Sequence, residues 1–438
     1  MRDFINDRFR TIKQHQHYDK AFHWAKLISV TGGAQIIIQG LGLVTGILVI
    51  RLLPTREYAY YTIANAMLGT MTVLADGGIS TGVMAEGGKV WNDKIKLGAV
   101  LNTGLFLRKK FALYSLLVTL PILGFMLFNQ NATLLSVVFI ILAIIPAFWA
   151  AISDSLLETI LKLHQAIMPL QKNQTSVSVL RLLLSGVLTF FFPFTAITLL
   201  GNGVPRVIGN IKLKKEVSKY ANENASKDID VEKSILNIVR KTLPGSIFFC
   251  ISAQLTLWLL SLFGNMNSIA SLGALARLSV LLNIFTVVFS TIFIPRFAKL
   301  SKSYTILVKA LIKFLFVAAL VCAGVILAVW LFSDLILSVL GKQYVNLDFE
   351  LLLCIVVGCI NMISGLFFTL ASSRGWIINP VFLIVSNIST FLIGAFLFNI
   401  STLYGVLLFQ LFTSIISISI NGVFLVKKIF EIKNHEDQ

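Results

Sequence analysis

Arg277 stands about eight residues inside a long apolar run, so roughly 12 Å from its start at helical rise. A charge at that depth costs on the order of 2.5–3.5 kcal/mol even on lenient insertion scales, so it must face water or a partner. A planar guanidinium suits bidentate binding of phosphate or carboxylate, which makes Arg277 a candidate anion-binding group. The other role open to it is a structural ion pair, with Asp76 as the acid. Asp76 lies near the end of its own apolar run and either carries a coupling proton or sodium ion or caps the run where it breaks at Gly77-Gly78. Asp154, Glu158 and Lys162 follow at steps of four, the spacing of a solvated ion-pair face, and the two acids are also candidates for a gate or coupling site. Arg181 and Arg206 are close enough to a boundary to snorkel, or else extend a basic entrance; Lys309 and Lys313 read as snorkelling residues.

Two polar stripes accompany these charges. Gly32, Gln35, Gln39, Gly42 and Gly46 recur at steps of three and four, as do Asn65, Gly69, Thr72, Asp76 and Ser80. Such steps return to one side of a helix, leaving each segment greasy over most of its circumference and polar along one seam. In lipid a polar seam must face protein or water. Gln35, Gln39, Asn65 and Thr72 therefore join Arg277 as candidate lining residues of a solvated interior. Further amides, Gln254, Asn361, Asn387, Gln410 and Asn421, sit inside apolar runs; they either hydrogen-bond between helices or contact a hydroxyl-rich solute.

The elements that must hold these residues are membrane spans. Of 438 residues 56% are hydrophobic and only 13% charged, the composition of an integral membrane protein. Runs of the roughly 20 apolar residues needed to cross a bilayer occur at 27–50, 58–80, 111–128, 134–153, 175–192, 194–211, 243–263, 269–295, 305–332, 347–372, 380–399 and 402–426. The predicted fold class is all-α, with about twelve transmembrane helices. The net charge of +17 is explained by placement rather than by nucleic acid: 29 Lys and Arg fall on one side of the alternating loops, and only Arg51, Arg56 and Lys342 on the other. By the positive-inside rule the basic side, with both termini, is cytoplasmic.

The polar stretch 212–242 follows the sixth run and reads as a cytoplasmic linker between two six-helix bundles, 27–211 and 243–426, flanked by a basic tail (1–26) and a C-terminal tail (427–438). Six spans per half give both halves the same orientation, the parallel-repeat arrangement of some transporters.

Soluble chemistry finds little purchase. There is no G-x-x-x-x-G-K-[ST] phosphate loop. Asp228-Ile-Asp230 has the spacing of a metal-binding pair but stands in a short linker; His15 and His17 lack partners for a metal site. The four cysteines, Cys250, Cys322, Cys354 and Cys359, all lie in apolar runs and read as reduced packing residues. No cofactor is implied, and no outer loop is long enough to build a catalytic face.

The segment Arg51-Leu-Leu-Pro-Thr-Arg-Glu-Tyr-Ala-Tyr-Tyr61, leading into Ala75-Asp76-Gly77, resembles the first helical hairpin of polysaccharide (O-antigen-type) flippases, members of the superfamily that includes MATE multidrug extruders and lipid II flippases. The sequence departs from the usual pattern at Leu53 and Ala59, where glycine is common. The resemblance implies a MATE-like two-bundle fold and no enzymatic activity. It implies a flippase that carries undecaprenyl-pyrophosphate-linked oligosaccharide from the cytoplasmic to the outer leaflet of the bacterial inner membrane by alternating access. Surface polysaccharide biosynthesis (O-antigen, capsule or exopolysaccharide) would follow, with coupling to an H+ or Na+ gradient and a polysaccharide polymerase and chain-length machinery as partners. Arg51 matches the hairpin arginine and would meet the headgroup at the outer exit or stabilise the turn. The alternatives are a MATE-type cation-coupled drug antiporter, which favours an acid in the first span where this chain has none, and a membrane-embedded polymerase or ligase.

Overall fold

Inside hydrocarbon every backbone N–H and C=O must find a partner within its own segment or a closed sheet, so long apolar runs fold as helices. The computed structural model describes residues 16–298, 300, 303–374, 376 and 378–436, and among them there are helices and no strand. The helices are α1 (Gln16–Leu52), α2 (Thr55–Asp76), α3 (Ile79–Lys89), α4 (Lys94–Asn129), α5 (Leu134–Leu163), α6 (Ile167–Phe191), α7 (Thr195–Val217), α8 (Ile229–Phe263), α9 (Met266–Ala298), α10 (Tyr304–Leu331), α11 (Ser333–Leu340), α12 (Asp348–Ser373), α13 (Pro380–Leu397) and α14 (Leu403–Glu436). Setting aside the short α3 and α11, each long helix contains or overlaps one of the twelve predicted runs. Seven helices among the described residues are by themselves long and apolar enough to cross a membrane.

The helices overrun the predicted spans at the basic end. α1 begins at Gln16 and α14 continues to Glu436; residues 1–15 of the basic tail, His15 among them, lie outside the described residues. The polar stretch 212–242 is mostly helix as well: α7 runs to Val217 and α8 starts at Ile229, leaving only 218–228 between them. That connection is pinned on α4, where Asn102 Nδ2 donates to the carbonyls of Glu223 and Ala225 at 2.9 and 2.8 Å. Asp228 caps α8, its carboxylate accepting from the amides of Asp230 (2.8 Å) and Val231 (3.2 Å), a structural use of the Asp-x-Asp pair.

Gly77 and Gly78, with φ of 49° and 100°, supply the left-handed backbone that stops α2 and starts α3 in a new direction. The hairpin turn at Leu53-Pro54 closes without glycine. Pro54 carries an ordinary φ of −56°, and the Tyr58 amide donates to its carbonyl at 2.8 Å.

Packing repeats between the halves. α5 and α6 pack on α7 in the first half; in the second, α12 packs on α14. The halves meet through α2 against α8 and α9, α1 against α9, and α3 and α4 against α8. At the end of the bundle away from the basic loops, side chains of the first half tether carbonyls of the second. Arg51 donates to Val339 and Ser338 (both 2.7 Å), Asn129 to Ser261 and Leu262 (2.9 and 3.0 Å), and Gln130 to Ser261 and Gly264 (2.8 and 3.2 Å).

Candidate functional site

The first polar stripe and the upper part of the second converge. Gln39, Gly42 and Gly46 of α1 and Tyr61 and Asn65 of α2 line a cavity of about 230 Å³, completed by α5, by Arg181 of α6, by Asn202 and Arg206 of α7, and by Arg277 of α9. Among the described lining residues Arg277 is the one that comes from the second half. Gly46 makes room for it: a Cβ there would stand 3.2 Å from Arg277 Cδ. The guanidinium lies 5.9 Å from the centroid of the Tyr61 ring, which itself stacks on Tyr58 at 6.0 Å. An aromatic face of this kind steadies a cation without neutralising it. Asn202 holds the Tyr61 hydroxyl at 3.1 Å and accepts from Ser185 at 3.1 Å.

Charge in the cavity is unbalanced. Asp154 accepts from Arg206 Nε at 2.9 Å and from Asn210 at 2.5 Å. Among the described residues no carboxylate lies within 4 Å of Arg181 or Arg277, and Arg181 Nε is buried without a hydrogen-bond partner. Three guanidiniums thus line a space to which the described residues contribute no carboxylate, Asp154 standing behind Arg206 in the adjoining chamber. Buried charge without a counter-ion is strongly unfavourable, so an anion is the kind of ligand this arrangement can accommodate.

Past Arg181 and Arg206 the space continues into a second chamber of about 320 Å³, lined by Gln35, Asp154, Glu158, Gln174 and Asn210 among others. Gln35 donates to Gln171 and Gln174 at 3.4 and 3.3 Å, and Gln174 donates to Glu158 at 2.8 Å. Glu158 also pairs with Lys162 at 3.1 Å, as its spacing predicts.

Several sequence candidates are placed elsewhere. The Arg277–Asp76 pair does not form, because Asp76 is engaged by Arg108 of α4, which also donates to Ser155 at 2.6 Å, Ser80 at 2.8 Å and the Ile152 carbonyl. Thr72 lies outside the cavity and donates to the Gly69 carbonyl of its own helix at 2.7 Å. Arg51 is spent on the tethers at the far end. Arg181 and Arg206 turn inward to the cavity rather than out to a boundary. Among the apolar-run amides, Asn421 bridges α14 to Ser364 of α12 at 2.9 Å, whereas Asn361, Asn387 and Gln410 line one separate cavity in the second half.

Arg108 is the residue that sequence reading missed. It sits in the run Arg108-Lys109-Lys110, which looks like the edge of a basic loop. Helix α4 starts well before it, at Lys94, so Arg108 is interior and only 3% exposed. Glu57 of the hairpin motif has a structural task too, accepting from the Thr195 amide (2.8 Å) and hydroxyl (2.7 Å) at the start of α7.

No protein-family model matches the sequence, and no curated protein matches it. Solved structures do. An inward-facing multidrug resistance MATE family transporter of the MOP superfamily superposes with a TM-score of 0.70 at 14% identity, over 90% of this chain and 96% of that one. The lipid II flippase MurJ in its inward closed conformation gives 0.70 at 15% identity, over 92% and 89%. The fold is MATE-like. An outward-facing MATE structure matches less well, at 0.63 over 93% of this chain and 96% of that one, at 14% identity. At these identities the likeness is one of fold: a multi-pass arrangement of membrane-spanning helices, with the cavity set in its first half and reached by Arg277 from the second.

Proposed function

We propose that this protein flips polyprenyl-pyrophosphate-linked oligosaccharides, of the undecaprenyl type, from the cytoplasmic to the outer leaflet of a bacterial inner membrane for surface polysaccharide assembly. Arg181, Arg206 and Arg277 around one cavity, with only Arg206 paired to a carboxylate (Asp154) among the described residues, carry this reading. A pyrophosphate brings the negative charge that these groups lack. Gln39 and Asn65 offer donors and acceptors to whatever is attached to it. The hydrophobic exterior leaves the polyprenyl tail in lipid while the head crosses.

The basic end faces the cytoplasm in this reading. The cavity then leads inward through the Asp154–Glu158 chamber, and the opposite end is held shut by the Arg51, Asn129 and Gln130 tethers. Because Arg277 comes from the second half and Arg181 and Arg206 from the first, separating the halves at this level splits the cationic cluster. Anion release on the outer side follows from that loss of charge density. Two six-helix bundles, 27–211 and 243–426, would be the moving bodies, joined through 212–242. Of the coupling candidates, Asp154 and Glu158 border the path, while Asp76 is committed to Arg108.

A cationic drug would meet repulsion from three arginines, which weighs against the antiporter reading. The reading is tested by deleting the gene and locating any lipid-linked oligosaccharide that accumulates. Accumulation in the cytoplasmic leaflet, relieved by the wild-type gene, is the expected result; unchanged leaflet distribution removes the proposal.

A further inference from the structure

The second half encloses a larger cavity, about 610 Å³, between α8, α9, α12, α13 and α14. Among the described residues its polar lining is uncharged: no Asp, Glu, Lys, Arg or His contributes, while Asn283, Asn361, Asn387 and Gln410 do, with several Ser and Thr. Asn387 Nδ2 is used locally, on the Leu383 carbonyl at 2.7 Å. Asn283, Asn361 and Gln410 make no side-chain hydrogen bond to another described residue, and the buried Ser252 hydroxyl of the same cavity has no partner. Amides and hydroxyls buried in a membrane protein normally find one another across helices. Here Asn283 and Asn361 stand exposed to the open space and Gln410 is half-buried beside it, within the span of apolar helices rather than at their ends, and that space is roomy and polar enough to be wet.

The chemistry of a matching occupant is narrow. Each carboxamide presents two donors and an acceptor on a rigid plane, which fits vicinal hydroxyls and acetamido groups. A phosphate or uronate here would be desolvated without a counter-ion, a cation would find no carboxylate, and a hydrocarbon tail would strand the amides. The same helix serves both cavities. Arg277 projects from α9 into the first-half cavity, while Ser279, Asn283 and Thr286 lie on the opposite face, about 180–240° round the helix. Asn283 is about 9 Å further along the axis than Arg277.

We infer that the second-half cavity is a subsite for the uncharged sugars of the cargo, recognised through their hydroxyl and acetamido groups, while the phosphates stay with the arginines across α9. This rests on the flippase reading and adds a division of labour to it. The test uses the full-length protein in lipid nanodiscs with two probes, undecaprenyl pyrophosphate and undecaprenyl-pyrophosphoryl-N-acetylglucosamine, and reads dissociation constants by native mass spectrometry. Wild type should bind the sugar-bearing probe about tenfold more tightly. The pair Asn361→Ala and Gln410→Ala should erase that difference and leave the sugarless probe unaffected, and the near-isosteric Gln410→Glu should reduce it with little risk to folding. Arg277→Ala should weaken both probes alike. A sugar increment that survives in the amide variants, or that is absent from wild type while the sugarless probe still binds, overturns the subsite and leaves the flippase reading standing. Failure of both probes to bind wild type removes both.

Discussion

Each half of the molecule builds a cavity from the same set of its spans: the first, second, fourth, fifth and sixth. In the first half these are α1, α2, α5, α6 and α7; in the second, α8, α9, α12, α13 and α14. The two cavities nevertheless have opposite chemistry. The first holds Arg181 and Arg206 and borrows Arg277, with Asp154 behind Arg206; the second, among the described residues, holds amides and hydroxyls and no charge. A shared architecture fixes where a hollow forms, and a few side chains decide what it holds. On the proposed function the difference becomes a division of roles, with phosphate suited to the first chemistry and neutral sugar to the second.

The largest effect should come from Arg277. Arg277→Ala should weaken binding of the sugarless pyrophosphate probe about thirtyfold or more and abolish flipping in proteoliposomes, with membrane insertion unchanged. Full activity would remove the charge contrast from the mechanism. Arg108→Ala should act on stability alone. It leaves Asp76 unpaired among Ser80 and its neighbours, a loss of about 3 kcal/mol in reversible unfolding, and adding Asp76→Asn should recover much of it. Arg181→Gln should separate stability from function. Removing a buried, unpartnered Nε should raise stability by about 1 kcal/mol while probe affinity falls about tenfold. Gly46→Val should mimic a mild loss of Arg277, because the added side chain displaces the guanidinium; a crystal structure with Arg277 unmoved would break that link. The smallest change belongs to Arg51→Ala, which loses two hydrogen bonds and should shift the balance toward an opening of the end away from the basic loops by about 1 kcal/mol, readable as a changed distance distribution between spin labels on α1 and α11.

The twelve long helices and the deep arginine were legible in the sequence because hydropathy and helical period act locally. So were Gln39 and Asn65, which fall on seams whose spacing already demands a polar neighbour. The second seam misled below Asn65. Asp76 and Ser80 follow the same period, yet Arg108 reaches them from α4, and periodicity on one helix carries no information about which other helix will arrive. Arg181 and Arg206 were ambiguous for a related reason. Depth along a helix can be counted, but rotation about its axis is set by packing. The separate amide cavity was the least legible feature, since Asn361, Asn387 and Gln410 lie on three helices far apart in sequence and only the fold gathers them.

Every bond of the far-end seam described above terminates on a main-chain oxygen: those of Val339, Ser338, Ser261, Leu262 and Gly264. Acceptors of that kind carry no net charge and owe nothing to side-chain identity. The lock can therefore part and re-form without stranding an ion, and it should respond only weakly to ionic strength. Residues 338, 339 and 262, whose side chains are exposed, are free to drift in evolution so long as the chain keeps its path, whereas 51, 129 and 130 are not.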